Sequence, residues 1–106
     1  MAYKVLGQVT PSASTATTLY TVPSSKSTVV SSLTVCNQNA SQVTYRIAVR
    51  PAGATLASVH YVVYDAVLPA NTTDTLTLGI TLDTTDVVTV YASATAVSFH
   101  AYGSEM

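Results

Sequence analysis

The chain has 106 residues, of which 48% are hydrophobic and only 8% are charged, and its formal net charge is -1. Four Lys and Arg residues cannot neutralise many phosphates, which argues against a nucleic-acid partner. Thr, Ser and Gly interrupt every apolar run well before the roughly 18 residues that a membrane-spanning helix needs, so we expect no membrane partner. No basic-then-apolar segment marks a signal peptide, and a single cysteine, Cys36, cannot form an internal disulfide.

Val and Thr, which favour strands, dominate the chain, and no stretch has apolar residues at helical spacing. Alternating or apolar runs between turn residues predict about eight strands. In chain order these are residues 3–9, 18–22, 27–36, 42–50, 58–68, 73–82, 87–92 and 96–102. Strands at roughly ten-residue spacing predict an all-β fold, a single antiparallel β-sandwich that is jelly-roll-like. The domain covers 1–106, with 1–17 as a partly extended arm and 103–106 as a short tail.

The strand over 42–50 alternates most cleanly. Val43, Tyr45, Ile47 and Val49 fall on one face, and Thr44, Arg46, Ala48 and Arg50 fall on the other. We expect the polar turn 37–41 to join the preceding strand to this one as a hairpin. The preceding strand is apolar on both faces, with Val29, Leu33 and Val35 on one side and Val30 and Cys36 on the other. In 73–82, Leu76, Leu78, Ile80 and Leu82 share a face.

The low charge and the mean hydropathy of +0.38 indicate whether the protein is a monomer or part of an assembly. A small domain has a large surface for its volume, and here only Thr, Ser and Ala are available to cover it. A nearly neutral, apolar surface promotes self-association. We therefore expect part of the surface to be buried against other chains, with a free monomer under a Thr-rich surface as the alternative.

Candidate chemistry is sparse. The chain has no nucleophile elbow, no Gly-rich phosphate loop and no CxxC pair, so we expect no enzyme, no cofactor and no metal. His60 and His100 lie on different predicted strands, each on the face opposite its apolar neighbours, such as Val59 and Val63 beside His60. They are better explained as exposed or interface residues than as a metal pair or a general base.

Two arginines are the sharpest candidates for a contact surface. Arg46 and Arg50 lie four residues apart on the outer face of one strand and supply half of the positive charge. Arginine is over-represented in interfaces, although a solvated outer face explains the same pattern. Asp65 interrupts an apolar strand and is expected to pair with one of them, within or between subunits.

Acidic and aromatic residues offer weaker candidates. Asp83 and Asp86 flank a turn with Asp74 expected nearby, but their spacing matches no calcium loop, so turn formation is the simpler explanation. The tyrosines are scattered along strands, which is typical of core and interface packing rather than of a sugar-binding platform.

Several segments together carry a resemblance to a known group of proteins. They are LYTVP (19–23), VVSSLTVCN (29–37), YRIAVRPAGA (45–54), HYVVYD (60–65), LPANTTDTLTLGITL (68–82), DVVTVYAS (86–93) and VSFHAYGSE (97–105). The chain resembles small virion structural proteins of marine tailed bacteriophages, including cyanophages. The resemblance covers nearly the whole chain and carries no catalytic motif.

The resemblance implies a virion component made in many copies and assembled in the host bacterial cytoplasm. The leading hypothesis is a capsid decoration (cement) protein, a homotrimer that binds the major capsid protein. The alternatives are a tail, neck or fibre component, or a carbohydrate-binding module that uses Asp83, Asp86 and Asn71 to bind host-surface glycans. The five residues expected at an interface are Arg46, Arg50, Asp65, His60 and His100.

Overall fold

The computed structural model describes residues 2–106, which form two antiparallel β-sheets packed face to face. Its strands are β1 (Ala2–Val9), β2 (Thr17–Thr21), β3 (Thr28–Asn37), β4 (Val43–Arg50), β5 (Tyr61–Leu68), β6 (Thr73–Leu76), β7 (Ile80–Leu82), β8 (Val87–Ala92) and β9 (Val97–Glu105). The only helical elements in this range are 3-10 turns at Pro51–Gly53 and Ser58–His60. The prediction of an all-β sandwich is confirmed, with nine strands in place of about eight.

The first four strands pair with the last five in reverse order. β1 pairs with β9, β2 with β8, β3 with β6 and β7, and β4 with β5, all antiparallel. Sheet 1 has the order β1-β9-β3-β6, with β7 also paired to β3, and sheet 2 has the order β2-β8-β4-β5. Consecutive strands from β1 to β4 therefore alternate between the two sheets. No helix in residues 2–106 is long and apolar enough to cross a membrane.

The predicted hairpin between β3 and β4 is wrong, because the two strands belong to different sheets. The turn between them is a crossing over the end of the sandwich, and buried Asn37 holds it. The Asn37 amide nitrogen lies within hydrogen-bonding distance of the carbonyls of Ser41, Leu68 and Pro69, at 2.9, 3.2 and 3.0 Å. Its amide oxygen accepts from the backbone N–H of Asn39 at 2.9 Å. One buried polar side chain thus satisfies the backbone of two crossings between the sheets.

Alternation predicted the buried residues of β4 correctly but failed in β3. Val43, Tyr45 and Ile47 of β4 are buried as expected. In β3 the buried residues include both Val30 and Leu33, which the alternating pattern had placed on opposite faces. A register shift between Val30 and Ser32 against β9 adds one residue at this point, and a one-residue slip moves every later side chain to the other face.

Two predicted strands differ from the structure along the same side of the sandwich. The region 73–82 forms β6 and β7, which both pair with β3 but are separated at Gly79, where φ is +62°. Leu78, predicted to lie with the core residues, is consequently exposed. The region 58–68 begins with a 3-10 turn, so the strand starts at Tyr61, and Val59 is 83% exposed instead of facing the core.

Both chain ends are part of sheet 1. The predicted tail 103–106 is wrong, because β9 continues to Glu105 and pairs with both β1 and β3. Of the predicted arm, residues 2–9 form β1 in the same chain's sheet, while Met1 lies outside the described residues. Gly7 lies where the β1 side of sheet 1 meets sheet 2, and a Cβ there would come within 2.3 Å of the Leu19 carbonyl oxygen. The β1 and β2 edges therefore approach each other closely on one lateral side of the sandwich.

Gly103, on β9, has the tightest surroundings of the four glycines, and its replacement tests the strand pairing. A Cβ on Gly103 would come within 1.9 Å of the Val29 carbonyl oxygen, so Gly103→Ala must push β9 away from β3. We expect the free energy of unfolding to fall by about 3 kcal/mol or more, as for severe overpacking. Urea unfolding measures this.

Gly79→Ala is the matched control. Nothing lies within 4 Å of a Cβ at Gly79, so only the left-handed backbone opposes the change, at a cost of about 1 to 2 kcal/mol. Equal effects of the two substitutions would show that β9 and β3 do not approach as described.

Candidate functional site

Edge strand β5 carries the largest concentration of exposed apolar side chains on the described surface. β5 is the last strand of sheet 2, and Val62, Tyr64 and Val67 on it, together with Val59 just before it, are each more than half exposed. We call these four residues the β5 strip. Large exposed apolar patches on small soluble domains mark interaction sites.

A shallow groove of about 490 Å³ adjoins the β5 strip. Its lining consists of Leu56, Ala57, Ser58, Tyr61 and Tyr64. The rings of Tyr61 and Tyr64 meet edge to face, with centroids 4.9 Å apart. The groove and the strip thus form one continuous apolar surface at the edge of sheet 2.

Two irregularities shape β5. Its register against β4 shifts once between Tyr45 and Ile47 and again between Ile47 and Ala48, and each shift inserts an extra residue into β5. At the first, Asp65 has a φ of +53°, a left-handed conformation that Asp tolerates better than most residues. Bulged edge strands are poor templates for adding another strand. The β5 strip is therefore suited to contacts through its side chains rather than to strand addition.

Arg46 is fixed within the chain by three partners. Its Nε donates to Asp65 Oδ1 at 2.6 Å and its Nη2 donates to Asp65 Oδ2 at 3.2 Å. Its guanidinium carbon lies 4.3 Å from the ring centroid of Tyr64 and 4.2 Å from that of Tyr91. The hydrogen bonds that Arg46 donates to Asp65 raise the pKa of Arg46, and the same bonds lower the pKa of Asp65.

The Arg46–Asp65 pair joins the outer faces of β4 and β5. Arg46 also holds Tyr64 in place through its cation–π contact. Asp65 pairs with Arg46 within the subunit, which is one of the two arrangements expected from the sequence. Of the two side chains, Asp65 is the more exposed, at 42% against 23% for Arg46. The pair as a whole is neutral, so it adds no net charge to this surface.

Arg50, expected to share a contact surface with Arg46, has a different environment. Its Nε donates to Thr89 Oγ1 at 3.0 Å, and its Nη1 donates to the carbonyl oxygen of Ala54 at 3.0 Å. These bonds tie the loop after β4 to the outer face of β8. The structure thus separates the two arginines: Arg46 lies beside the β5 strip and Arg50 braces a loop.

The two histidines lie on different elements, His60 in a turn before sheet 2 and His100 on a strand of sheet 1. His60 is in the 3-10 turn before β5, where its Nδ1 accepts from the backbone N–H of Ala57 at 3.0 Å. His100 is on β9 of sheet 1, with its Nδ1 3.1 Å from Gln8 Nε2 and its ring stacked with that of Tyr102 at 6.3 Å. Residues 2–106 contain no group of three or more His, Cys, Asp or Glu side chains arranged to hold a metal ion.

The acidic residues do not converge on one loop. Asp74 accepts a hydrogen bond from the buried Tyr45 hydroxyl at 2.9 Å, and burial raises the pKa of Tyr45. Asp86 uses its two carboxylate oxygens to accept from the backbone N–H groups of Ala52 and Asp83, at 2.8 and 2.9 Å. Asp74 pairs with Val35, near the end of β3. Asp83 follows Leu82, which pairs with Thr28 at the start of β3. The prediction that Asp74 lies near Asp83 and Asp86 is therefore wrong.

A second ion pair lies on the opposite lateral side, next to β1. Lys4 Nζ lies 2.9 Å from Glu105 Oε1, and the Tyr20 hydroxyl donates to Glu105 Oε2. Burial and the neighbouring Glu105 raise the pKa of Tyr20 to about 12. The bonds from Tyr20 and Lys4 hold the pKa of Glu105 below its usual value. This cluster ties both termini of the described chain to β2.

Strand β1 also exposes apolar side chains beside this ion pair. Tyr3 and Val5 are each at least half exposed, and we call them the β1 patch. Lys4 lies between them in sequence, but alternation along the strand places its side chain on the opposite face, where it bonds Glu105. The β1 patch itself is therefore apolar.

Comparison of the chain with models of known protein families, with curated proteins and with solved structures found no match. The site is therefore defined by its own geometry: an apolar strip, a groove and an internally neutralised ion pair.

Sequence reasoning placed Arg46 and Asp65 at this site but missed the β5 strip around them. The available signal was a strand that is apolar on both faces, since a central buried strand and an exposed edge strand share that pattern. The sequence predicts core or interface packing for the tyrosines, Tyr64 included, because nothing in it places β5 at the edge.

Separate substitution of the two arginines tests their separate roles. We expect Arg50→Ala to lower the free energy of unfolding by about 1 to 2 kcal/mol, because it leaves Thr89 and the Ala54 carbonyl without their donor. Arg46→Ala removes a partly exposed ion pair and should cost less than Arg50→Ala. Chemical unfolding of each variant measures the difference. If Arg46→Ala lowers the free energy of unfolding more than Arg50→Ala does, the Arg46–Asp65 pair is mainly a stabilising element of the fold.

The Glu105 cluster predicts how stability changes in acid. A carboxyl whose folded-state pKa is below its unfolded-state value contributes stability above the unfolded-state pKa, and this is lost as pH falls through the folded-state pKa. We expect the free energy of unfolding to decrease as pH falls below about 4.5. Tyr20→Phe should weaken that dependence, since it removes the largest cause of the shift.

Tyr3→Phe is the matched control for Tyr20→Phe, because Tyr3 is exposed and its hydroxyl makes no hydrogen bond within the described residues. Unfolding at a series of pH values measures both variants. An acid dependence that Tyr20→Phe leaves unchanged would show that the Tyr20–Glu105 bond does not form.

Proposed function

We propose that the chain is a non-enzymatic virion structural protein, a capsid decoration protein that associates with itself as a homotrimer and binds the major capsid protein. The observation that carries the proposal is the β5 strip, whose exposed apolar side chains surround an ion pair that is already neutralised internally. A surface of this kind gains free energy when another protein covers it and has no free charge to resist burial.

The shape of the domain is consistent with such a role. The sandwich is rigid, since its interior is filled by side chains from both sheets and its crossings are held by buried hydrogen bonds. Its extents are 42 × 28 × 19 Å, so it is a flat block. A flat, rigid block that covers the junction between shell subunits adds buried area there without changing their fold. A typical specific interface buries about 800 Å² on each partner.

The strand order supports the finer part of the fold prediction. In a jelly roll, two antiparallel halves of the chain run side by side and fold together into two sheets. Here the first four strands pair with the last five in reverse order, and strands β1 to β4 alternate between the two sheets. We therefore propose that the sandwich is a jelly roll with its sixth strand split into β6 and β7, a fold common in viral coat proteins.

Two alternatives use the same surface. A tail, neck or fibre component would also bury the β5 strip, but at a different place on the particle. A carbohydrate-binding module would instead use the groove, where Tyr61 and Tyr64 offer aromatic surface to a sugar ring. The loop residues Asp83 and Asp86 support it less, because their carboxylates already accept backbone hydrogen bonds.

Particles stripped of this protein test the proposal directly. We expect them to lose genome at a lower temperature and after milder osmotic shock than complete particles, because the added buried area no longer supports the shell. Re-addition of the purified protein should restore resistance, and re-addition of Tyr64→Ala should restore less.

Unchanged resistance of stripped particles would contradict the decoration role. Labelling that finds the protein only at the tail would support the tail alternative. Saturable binding of host polysaccharide that Tyr64→Ala abolishes would support the carbohydrate-binding alternative.

A further inference from the structure

We propose that neighbouring copies of this chain exchange their first strand, so that β1 of one copy pairs with β9 of the next copy in the homotrimer. The exchanged segment is residues 2–11, which comprise β1 and the two residues after it. The inference rests on the self-association in the proposed function and identifies the segment that performs it. It follows from the limited burial of β1, the conformation of the loop after it and the contacts at its two ends.

β1 is held in sheet 1 mainly by its pairing with β9 and makes few core contacts. None of residues 3–9 is buried, and on this strand only Leu6 and Val9 pack against the hydrophobic core. The buried apolar residues of the core all lie at Leu19 or later in the chain. Elements with few buried apolar contacts open at a lower free energy than the whole domain. β1 can therefore leave its sheet while the rest of the sandwich stays folded.

The loop between Pro11 and β2 has the properties of a hinge. Residues 12–16 are all exposed, whereas Pro11 before them is buried. Within this loop Ser14 has a φ of +55°, in the left-handed region that serine seldom adopts. Its N–H donates to the Ala92 carbonyl oxygen at 2.8 Å, and this bond holds the turn that leads β1 back to β2 of the same copy.

An extended hinge allows β1 to reach an adjacent copy. When residues 12–16 straighten, Ser14 returns to a relaxed backbone, so exchange relieves the strain of the turn and gives up its hydrogen bond. Five extended residues span roughly 17 Å. The shortest extent of the domain is 19 Å, so the reach of the hinge is comparable to the thickness of one copy.

The contacts that select β1 as the partner of β9 are the same within one chain and between two chains. Lys4 Nζ lies 2.9 Å from Glu105 Oε1 near one end of β1, and Gln8 Nε2 lies 3.1 Å from His100 Nδ1 near the other. A β1 strand from a second copy reproduces both contacts and the whole register. The occupant of the vacated edge of β9 is therefore a second copy of residues 2–11. The strain in the hinge and the local concentration of copies determine the balance between the two forms.

Exchange favours closed assemblies and slows the loss of single copies. In an open series of copies, the last β9 has an unpaired edge and the first β1 has no sheet, and closing the series pairs both. A copy whose β1 lies in its neighbour can leave only after the pairing of residues 2–9 with β9 has broken. The β5 strip stays available to the major capsid protein, because β5 is the far edge of sheet 2 from β2.

A disulfide between β1 and β9 tests whether the two strands belong to one chain or to two. Gln8 and His100 are directly paired, so cysteines at these positions lie within the range of Cα separations that a disulfide accepts. Gln8→Cys and His100→Cys are combined with Cys36→Ser, and the assembled protein is oxidised. On a non-reducing denaturing gel, exchange predicts a covalent species of three times the 11.0 kDa mass of one chain.

Ser98→Cys in the otherwise unchanged chain is the matched control. It lies opposite the native Cys36 in the pairing of β9 with β3, and both of these strands stay in one chain after exchange. Its disulfide should therefore form within single chains and leave the mass on the gel at 11.0 kDa. Val5→Cys with Tyr102→Cys, also directly paired, replaces the first cysteine pair if circular dichroism shows that the first variant is unfolded.

Ser14→Gly tests the role of the hinge. Glycine adopts the left-handed conformation without a steric penalty, so the change favours the return of β1 to its own sheet. We expect the equilibrium constant for exchange to fall about tenfold for each hinge, measured by analytical ultracentrifugation. Ser12→Gly, in the same exposed loop but without a left-handed backbone, is the control and should leave the equilibrium unchanged.

Three results would overturn the inference. A trimer whose Gln8–His100 disulfide forms only within single chains would exclude exchange and leave the proposed homotrimer intact. Covalent trimers from the Ser98→Cys control as well would show that the crosslinks do not report on β1. A parent protein that is a monomer both in solution and on particles would exclude exchange and the homotrimer together. The heat resistance of stripped particles is measured separately, so decoration of the capsid by monomers would still be detected.

Discussion

Reverse-order pairing of the two halves of the chain is the constraint on which the rest of the structure depends. Because β1 pairs with β9 and β4 with β5, the first strand becomes an edge of one sheet and the fifth becomes an edge of the other. Both edges are then lateral and lie on opposite sides of the sandwich. The outward-facing apolar residues of these strands, such as Val5 and Val62, stay exposed, whereas Leu6 and Leu68 pack into the core.

Because the chain has few charged residues, these two edge strands expose mainly apolar side chains. Edge strands are commonly protected by lysines and inward-pointing charges. Here β5 is protected by two bulges and one arginine–aspartate pair, and the pair neutralises itself within the subunit. Strand addition is therefore disfavoured while the side chains stay available. An apolar surface that resists strand addition can bury its side chains against a folded partner without the risk of fibre growth.

The sequence was sufficient to predict the strands that alternate regularly. It was not sufficient to predict the bulges, where one extra residue reverses the face on which later side chains lie. The inward face of β4 was correct down to Val43, Tyr45 and Ile47, because no bulge lies on that strand's own backbone. In β3 an extra residue near Ser31 exchanged the faces, and in β5 two extra residues interrupted the alternation between Tyr61 and Ala66. Bulges depend on the partner strand, which the local pattern does not contain. The pairing of strands could not be predicted for the same reason. The turn after Asn37 was therefore predicted as a hairpin, although β3 and β4 belong to different sheets.

The central claim is that the β5 strip is covered in the working assembly, and the solvent accessibility of one ring measures this most directly. Tyr64 is 60% exposed in the single chain. Hydroxyl-radical labelling of the free subunit and of intact assemblies, read out by mass spectrometry at Tyr64, compares the two states. The account predicts strong protection of Tyr64 in the assembly while exposed positions in the loop after β1 react equally in both. Equal labelling of Tyr64 in the free and assembled states would contradict it.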